Sequence, residues 1–201
     1  NIVVTKEVTD SVTLANNAYT YAGTPIQYTI EVYNNGGGQI TNGTVQDAVN
    51  TTGVLRRLEN VSWSCSVVTV GTGTTDCGNA PISPTTSTTT PINVTGVDLG
   101  ANGGKIRIVI DATIAANSSV STLDDHATYL ANTVDVTGYN GVTTDTDTDT
   151  VDTPILRKAE FVIDKQTVTN PVVAGGAIHY SIVVTNNGPS VSGNNALFDV
   201  V

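Results

Sequence analysis

One segment near the start of the chain returns about three quarters of the way along, and that self-similarity constrains the fold more than any single residue does. Set against each other, Gly23-Thr-Pro-Ile-Gln-Tyr-Thr-Ile-Glu-Val-Tyr-Asn-Asn-Gly36 and Gly175-Gly-Ala-Ile-His-Tyr-Ser-Ile-Val-Val-Thr-Asn-Asn-Gly188 keep Gly, Ile, Tyr, Ile, Val, Asn, Asn and Gly in step without a gap. The same offset carries Asp47 onto Asp199 and Val49 onto Val201, and Val3-Val-Thr-Lys6 matches Val162-Ile-Asp-Lys165 after a small shift. A repeat at this spacing marks a tandem array of domains. The expected organisation is a complete module at 1–153, a linker at 154–158, and the opening strands of a second module at 159–201.

Composition bounds what such modules do. With 39% hydrophobic residues in 201, the chain can bury one core of about 150 residues, and the remainder is too short to fold alone. Only 13% of residues are charged, the polar positions being filled by Thr, Ser, Asn and Gly as in extracellular β-proteins. A net charge of -10 with eight scattered Lys and Arg lacks the basic cluster that nucleic acid requires, and it disfavours anionic membrane surfaces. No apolar run approaches the roughly 18 to 20 residues that span a bilayer. With no Met present, Asn1 is not a translational start, so a processed product or an excerpt of a longer protein is expected.

The pattern is all β. Ile106, Ile108, Ile110, Ala112 and Ile114 alternate with Lys105, Arg107, Val109, Asp111 and Thr113, the period of two of a strand with one buried face. Ile26, Tyr28, Ile30 and Val32 alternate likewise, and these two faces are expected to cover each other in one core. Further strands are expected at Ile2 to Val8, Thr44 to Val49, Val61 to Val70, Ala127 to Val136 and Val142 to Val151, separated by Gly, Asn and Pro. No segment shows a sustained helical period. About seven short strands in such a length read as an immunoglobulin-like Greek-key β-sandwich, although the same pattern fits a closed barrel.

A combination of residues carries a family resemblance. Lys6 in a first strand is followed by Gly-x-x-Ile-x-Tyr-x-Ile-x-Val-x-Asn-Asn-Gly, by Asp47-Ala-Val49, by Trp63-Ser-Cys65 with Cys77, and by Ala131-Asn-Thr-Val-Asp-Val-Thr137. This set resembles the DUF11 "conserved repeat" domain, a family of immunoglobulin-like modules strung together in large bacterial and archaeal surface proteins. The stretch from Gly71 to Gly104 departs from it, being longer and richer in Thr. The resemblance implies a structural or adhesive surface repeat and no set of catalytic residues.

Cys65 and Cys77 are the only cysteines, and an even count in an exported protein favours a disulfide over thiolates that lack further metal ligands. Trp63, two residues before Cys65, would share its strand face and pack near the bridge. Asp145, Asp147 and Asp149 alternate with Thr and invite a calcium reading, but in a strand they stand about 7 Å apart at each step, too far to share one ion unaided. An edge strand protected by like charges is the plainer reading. Calcium at the junction beside Asp152 stays open.

No catalytic site is expected. His126 beside Asp124 and Asp125 lacks a nucleophile elbow; adjacent strand residues cannot face one another as a glycosidase pair does. His179 stands where the first module has Gln27. Asn42, Asn50, Asn60, Asn93 and Asn117 begin Asn-x-Ser/Thr glycosylation patterns, and the tract from Pro84 to Pro91 is a Thr-rich surface loop suited to O-linked sugar. The chain therefore reads as a non-enzymatic structural subunit of an extracellular filament, stalk or surface layer. Its partners are copies of itself or further modules. An adhesin stalk with its binding tip elsewhere is the alternative, and a carbohydrate-binding module, poor in aromatics at 5%, comes third.

Overall fold

Period-two alternation decides the architecture, and in β3 (Pro25–Asn34) every second side chain is buried from end to end. A computed structural model describes residues 1–9, 20–47, 58–86, 92–117, 129–168, 171–193 and 195–200. Among them every regular element is a strand. The others are β1 (Ile2–Thr9), β2 (Thr20–Tyr21), β4 (Ile40–Asp47), β5 (Leu58–Thr69), β6 (Thr85–Thr86), β7 (Ile92–Leu99), β8 (Lys105–Ile114), β9 (Tyr129–Tyr139), β10 (Thr144–Leu156), β11 (Phe161–Thr167) and β12 (Tyr180–Asn186).

One sheet runs β1-β3-β8-β5-β6, a second runs β2-β10-β9-β4-β7, and β11 and β12 pair separately. All pairings are antiparallel except that of β2 with β10. The inward side chains of both five-stranded sheets form one apolar cluster, so the sheets stack as a sandwich. Ile26, Tyr28, Ile30, Val32, Ile106, Ile108 and Ile110 all lie in it.

Their arrangement corrects one expectation. β3 and β8 do not cover each other: they are neighbours in one sheet, with Tyr28 opposite Ile110, Ile30 opposite Ile108 and Val32 opposite Ile106. The cover comes from Val45, Val94, Val97, Leu99, Val134 and Val136 of the second sheet. β7 was hidden in the Thr-rich stretch because its alternation breaks. Ile92 and Val94 point inward, Gly96 takes a φ of 73°, and Val97 and Leu99 then resume the inward face one residue out of phase. The register of β4 against β7 slips at the same place. β10 continues through 154–156 of the expected linker, where Ile155 and Leu156 pair with Thr20 and Tyr21.

The second pair of strands repeats the first residue by residue. Ile2 faces Asn34 and Lys6 faces Ile30; Phe161 faces Asn186 and Lys165 faces Ile182. Even the turn chemistry returns, for Asn34 accepts from the Gly36 N–H and donates to the Gly38 carbonyl, while Asn186 accepts from the Gly188 N–H and donates to the Ser190 carbonyl. Unlike the first pair, β11 and β12 are exposed on both faces, with Phe161, Ile163 and Val183 open to solvent.

The turn after β12 docks on the first unit. Ser190 is buried, donates to the Ala22 carbonyl and accepts from the Lys158 N–H, and the Val191 N–H donates to the Ala116 carbonyl. Gly23 is obligatory at this seam. Its φ is 92°, and a Cβ there would lie 1.8 Å from the Pro189 carbonyl oxygen.

Candidate functional site

Three groups of side chains set this unit apart from a plain apolar sandwich: a ladder of carboxylates, a buried polar cluster and a disulfide. The ladder is built by two strands running in step on the open side of the sandwich. β1 bonds to β3 on one side only, so the N–H groups of Ile2, Val4 and Lys6 point away from that sheet. They donate to Asp145 Oδ2 at 2.9 Å, Asp147 Oδ2 at 2.8 Å and Asp149 Oδ2 at 2.6 Å. The Thr-Asp repeat of β10 thus supplies acceptors where a further strand would otherwise bond. It ties one sheet's edge to the other sheet and occupies the N–H groups of β1 that an added chain would use.

This replaces the expectation of a merely charge-protected strand. The three carboxylates are half-buried and engaged one by one along β1, and Asp152 is exposed at the far end. Among the described residues, no group of three or more His, Cys, Asp or Glu is gathered to hold a metal ion. The Asp145 carboxyl is held below its ordinary value of 3.8, chiefly by the Ile2 N–H. A carboxyl that ionises more easily folded than unfolded stabilises the fold in full above its unfolded pKa and loses that contribution as the pH falls through its lower folded value. Urea midpoints of the parent chain and Asp145→Asn should therefore converge between about pH 5 and about pH 2. A gap that stays constant over that range would show that the ionised carboxylate contributes nothing.

The polar cluster lies inside the sandwich. Lys6 points inward from β1 in line with Ile2, Val4 and Val8, and its amine pairs with Asp47 Oδ2 on β4. The two side chains are 0% and 1% exposed. Burial pulls the Lys6 amine below its ordinary range, against the opposing attraction of Asp47. The Lys6 Nζ lies 5.2 Å from the centroid of the Tyr28 ring. Burial pushes the Tyr28 phenol up, so it stays protonated. Asn132 on β9 and Thr153 on β10 complete the lining, both almost wholly buried. Neither polar atom of the Asn132 carboxamide has a hydrogen-bond partner, nor has the Thr153 hydroxyl.

Cys65 on β5 and Cys77 are bonded to each other, with Cα atoms 6.0 Å apart. Trp63, opposite Ile110, packs half-buried against the core two residues from the bridge. Asn42, Asn60, Asn93 and Asn117 are exposed, and the described part of the Thr-rich tract is an exposed edge, Thr85 and Thr86 pairing with β5. His179 is exposed, as a position shared with Gln suggests. Asn50, Asp124, Asp125, His126 and residues 87–91 lie outside the described residues.

Asp47, Tyr28, Asn132 and Thr153 were not singled out as a cluster from sequence. A signal was present in Lys6, a cation on the inward phase of an alternating strand, and in Asn132, two places before the inward pair Val134 and Val136.

No family model matches the chain, and no curated protein matches it. Among solved structures it is similar to the full-length major pilin SpaD of Corynebacterium diphtheriae, at 14% identity and a TM-score of 0.41, covering 89% of this chain and 40% of that one. The sporulation control protein Spo0M of Bacillus subtilis matches at 13% identity and a TM-score of 0.34, over 76% and 49% of the two chains. A family 123 glycoside hydrolase of Clostridium perfringens matches at 12% and 0.30, over 76% and 27%. The chain spans less than half the length of each of these proteins. Likenesses this distant carry no functional argument.

Proposed function

We propose that the chain is a non-enzymatic structural repeat of an extracellular filament, stalk or surface layer, assembled from immunoglobulin-like Greek-key modules of the DUF11 type. The observation that carries this reading is the second strand pair. β11 and β12 reproduce the register of β1 and β3, the Asn turn, and the Lys–Asp ion pair, with Lys165 Nζ 2.5 Å from Asp199 Oδ1. A unit that begins again in the same register is the expected product of module duplication, and duplication lengthens a protein without adding chemistry.

The seam supports a spacer role. Ser190 and Val191 bond to the first unit, so successive modules would be held at a set angle, where a Gly/Ser tether would leave them free. The exposed apolar residues of β11 and β12 would be covered by further strands, from the same polypeptide or from a neighbouring copy. The disulfide suits an oxidising, extracellular setting.

Negative-stain electron microscopy of the purified protein tests assembly. Fibres or sheets of regular repeat are the expected result. Isolated rods at every concentration tried would overturn self-assembly and leave the adhesin stalk as the better reading.

A further inference from the structure

The interior of the sandwich brings together an amine, a carboxyl and a carboxamide from three strands of two sheets. Lys6, Asp47 and Asn132 are 5%, 1% and 2% exposed. The amine already touches the carboxyl. The carboxamide has neither its donor nor its acceptor satisfied by hydrogen bonding, a rare and costly condition for a buried group.

Register sets Asn132 one inward step beyond Lys6, on the side towards which the amine reaches over the Tyr28 ring. The rungs Ile2 to Asp145, Val4 to Asp147 and Lys6 to Asp149 advance two residues at a time along both strands, so the next step sets Val8 beside Val151. Val151 pairs with Asn132, and Val8 pairs with Tyr28, over whose ring the Lys6 Nζ lies. The next inward residue of β9, Val134, pairs with Asp47. Asn132 and Asp47 therefore stand diagonally on neighbouring strands, both buried on the inward face towards which Lys6 points.

We propose that Lys6 and Asn132 become joined by a side-chain amide that forms inside the folded unit, with Asp47 carrying the protons. The Lys6 ammonium gives a proton to the Asp47 carboxylate. The freed Nζ lone pair then bonds to the Asn132 side-chain carbonyl carbon, and the electron pair of that C=O moves onto Oδ1, which takes the proton from Asp47. When the C=O re-forms, the carbon–Nδ2 bond breaks; Oδ1 returns its proton to Asp47, a proton from Nζ goes to Nδ2, and ammonia leaves. The balance is one amine and one carboxamide in, one secondary amide and one ammonia out, with no oxidant or cofactor. Burial supports the first step, because an amine held below its ordinary range yields its proton readily. It also excludes water, the competing nucleophile.

Asn132 is a better acceptor than Asp47, because attack on an ionised carboxylate must expel oxide or hydroxide, and it would leave the buried carboxamide without a role. The arrangement also recurs: Lys165 Nζ lies 2.5 Å from Asp199 Oδ1 and 4.6 Å from the Tyr180 ring centroid, at the positions that the repeat equates with Lys6, Asp47 and Tyr28. Such a link would fasten β1, the outer strand of one sheet, to β9 of the other. In a spacer under tension that strand is among the first to be sheared off, and a covalent tie would hold it. The chemistry does not depend on the assembly reading and is tested without it.

Intact mass of the purified chain, with the disulfide accounted for, is expected one ammonia below the sequence mass, and fragmentation of a protease digest should give a branched peptide joining Lys6 to Asn132. Asp47→Asn, checked for folding by circular dichroism, should keep the full mass and yield no branched peptide. A parent chain that keeps its full mass after long incubation at neutral pH overturns the proposal. So does ammonia loss without a branched peptide, or a branch that loses water and ends on Asp47. Folded Asp47→Asn that cross-links as completely and as fast as the parent overturns the role given to Asp47.

Discussion

Ile108→Ala should lower the stability of the chain by about 2 to 5 kcal/mol, because it empties a site that cannot collapse. Ile108 is 0% exposed on β8, with Ile30 opposite it on one side and Cys65 on the other. Both neighbours are fixed by strand pairing, and the second sheet closes over the space from above. Side chains held in register on a pleated sheet move little to fill a void, so the lost contacts are not recovered. Urea denaturation of the variant against the parent measures the loss. A shift no greater than that of an exposed substitution such as Arg107→Ala would mean that the inward face of β8 is wrongly assigned.

Opening the disulfide should cost about 3 kcal/mol, the loop entropy regained by the unfolded chain for a bridge between Cys65 and Cys77, twelve residues apart. The bridge anchors a segment with little regular structure of its own. Residues 70–77 belong to no strand and are held to 98–101 by isolated bridges, Thr72 to Ala101 and Asp76 to Asp98. Thermal melting of Cys65→Ala/Cys77→Ala against the oxidised parent measures the effect. The same melting temperature in both would show that local pairing alone holds this segment. A larger loss would point to the two cysteines themselves, 2% and 7% exposed, as part of the core.

The residues most open to sequence reading were those whose behaviour is local. β3 and β8 declare themselves because branched apolar side chains at every second place can be satisfied only by a strand with one buried face. The repeat was legible as far as Asn186 and Asp199 because it is a property of letters, and the structure reproduces it down to single hydrogen bonds. β7 was lost because Gly96 adds one residue and reverses the phase, so each half is too short to register as alternation.

The candidate site was legible only in fragments. Asp145, Asp147 and Asp149 were visible as a charged strand, yet nothing local says that their partners are the N–H groups of residues 143 positions away. Lys6, Asp47 and Asn132 stood out only as separate letters of the family-like motif, on three strands and with no role attached. Which of them meet depends on sheet order and on how one sheet lies over the other.

The sequence by itself determined that the chain is all β, that its opening motif occurs twice, and which faces of β3 and β8 are buried. Period-two patterning and self-similarity act through neighbouring residues, and no long-range contact is needed to read them. Only the tertiary structure decided that β3 and β8 lie side by side, that β10 clasps the free edge of β1, and that an amine, a carboxyl and a carboxamide are buried in one interior. Those outcomes follow from the pairing of strands distant in sequence, where backbone hydrogen bonds are blind to side-chain identity and packing of the whole core selects the register.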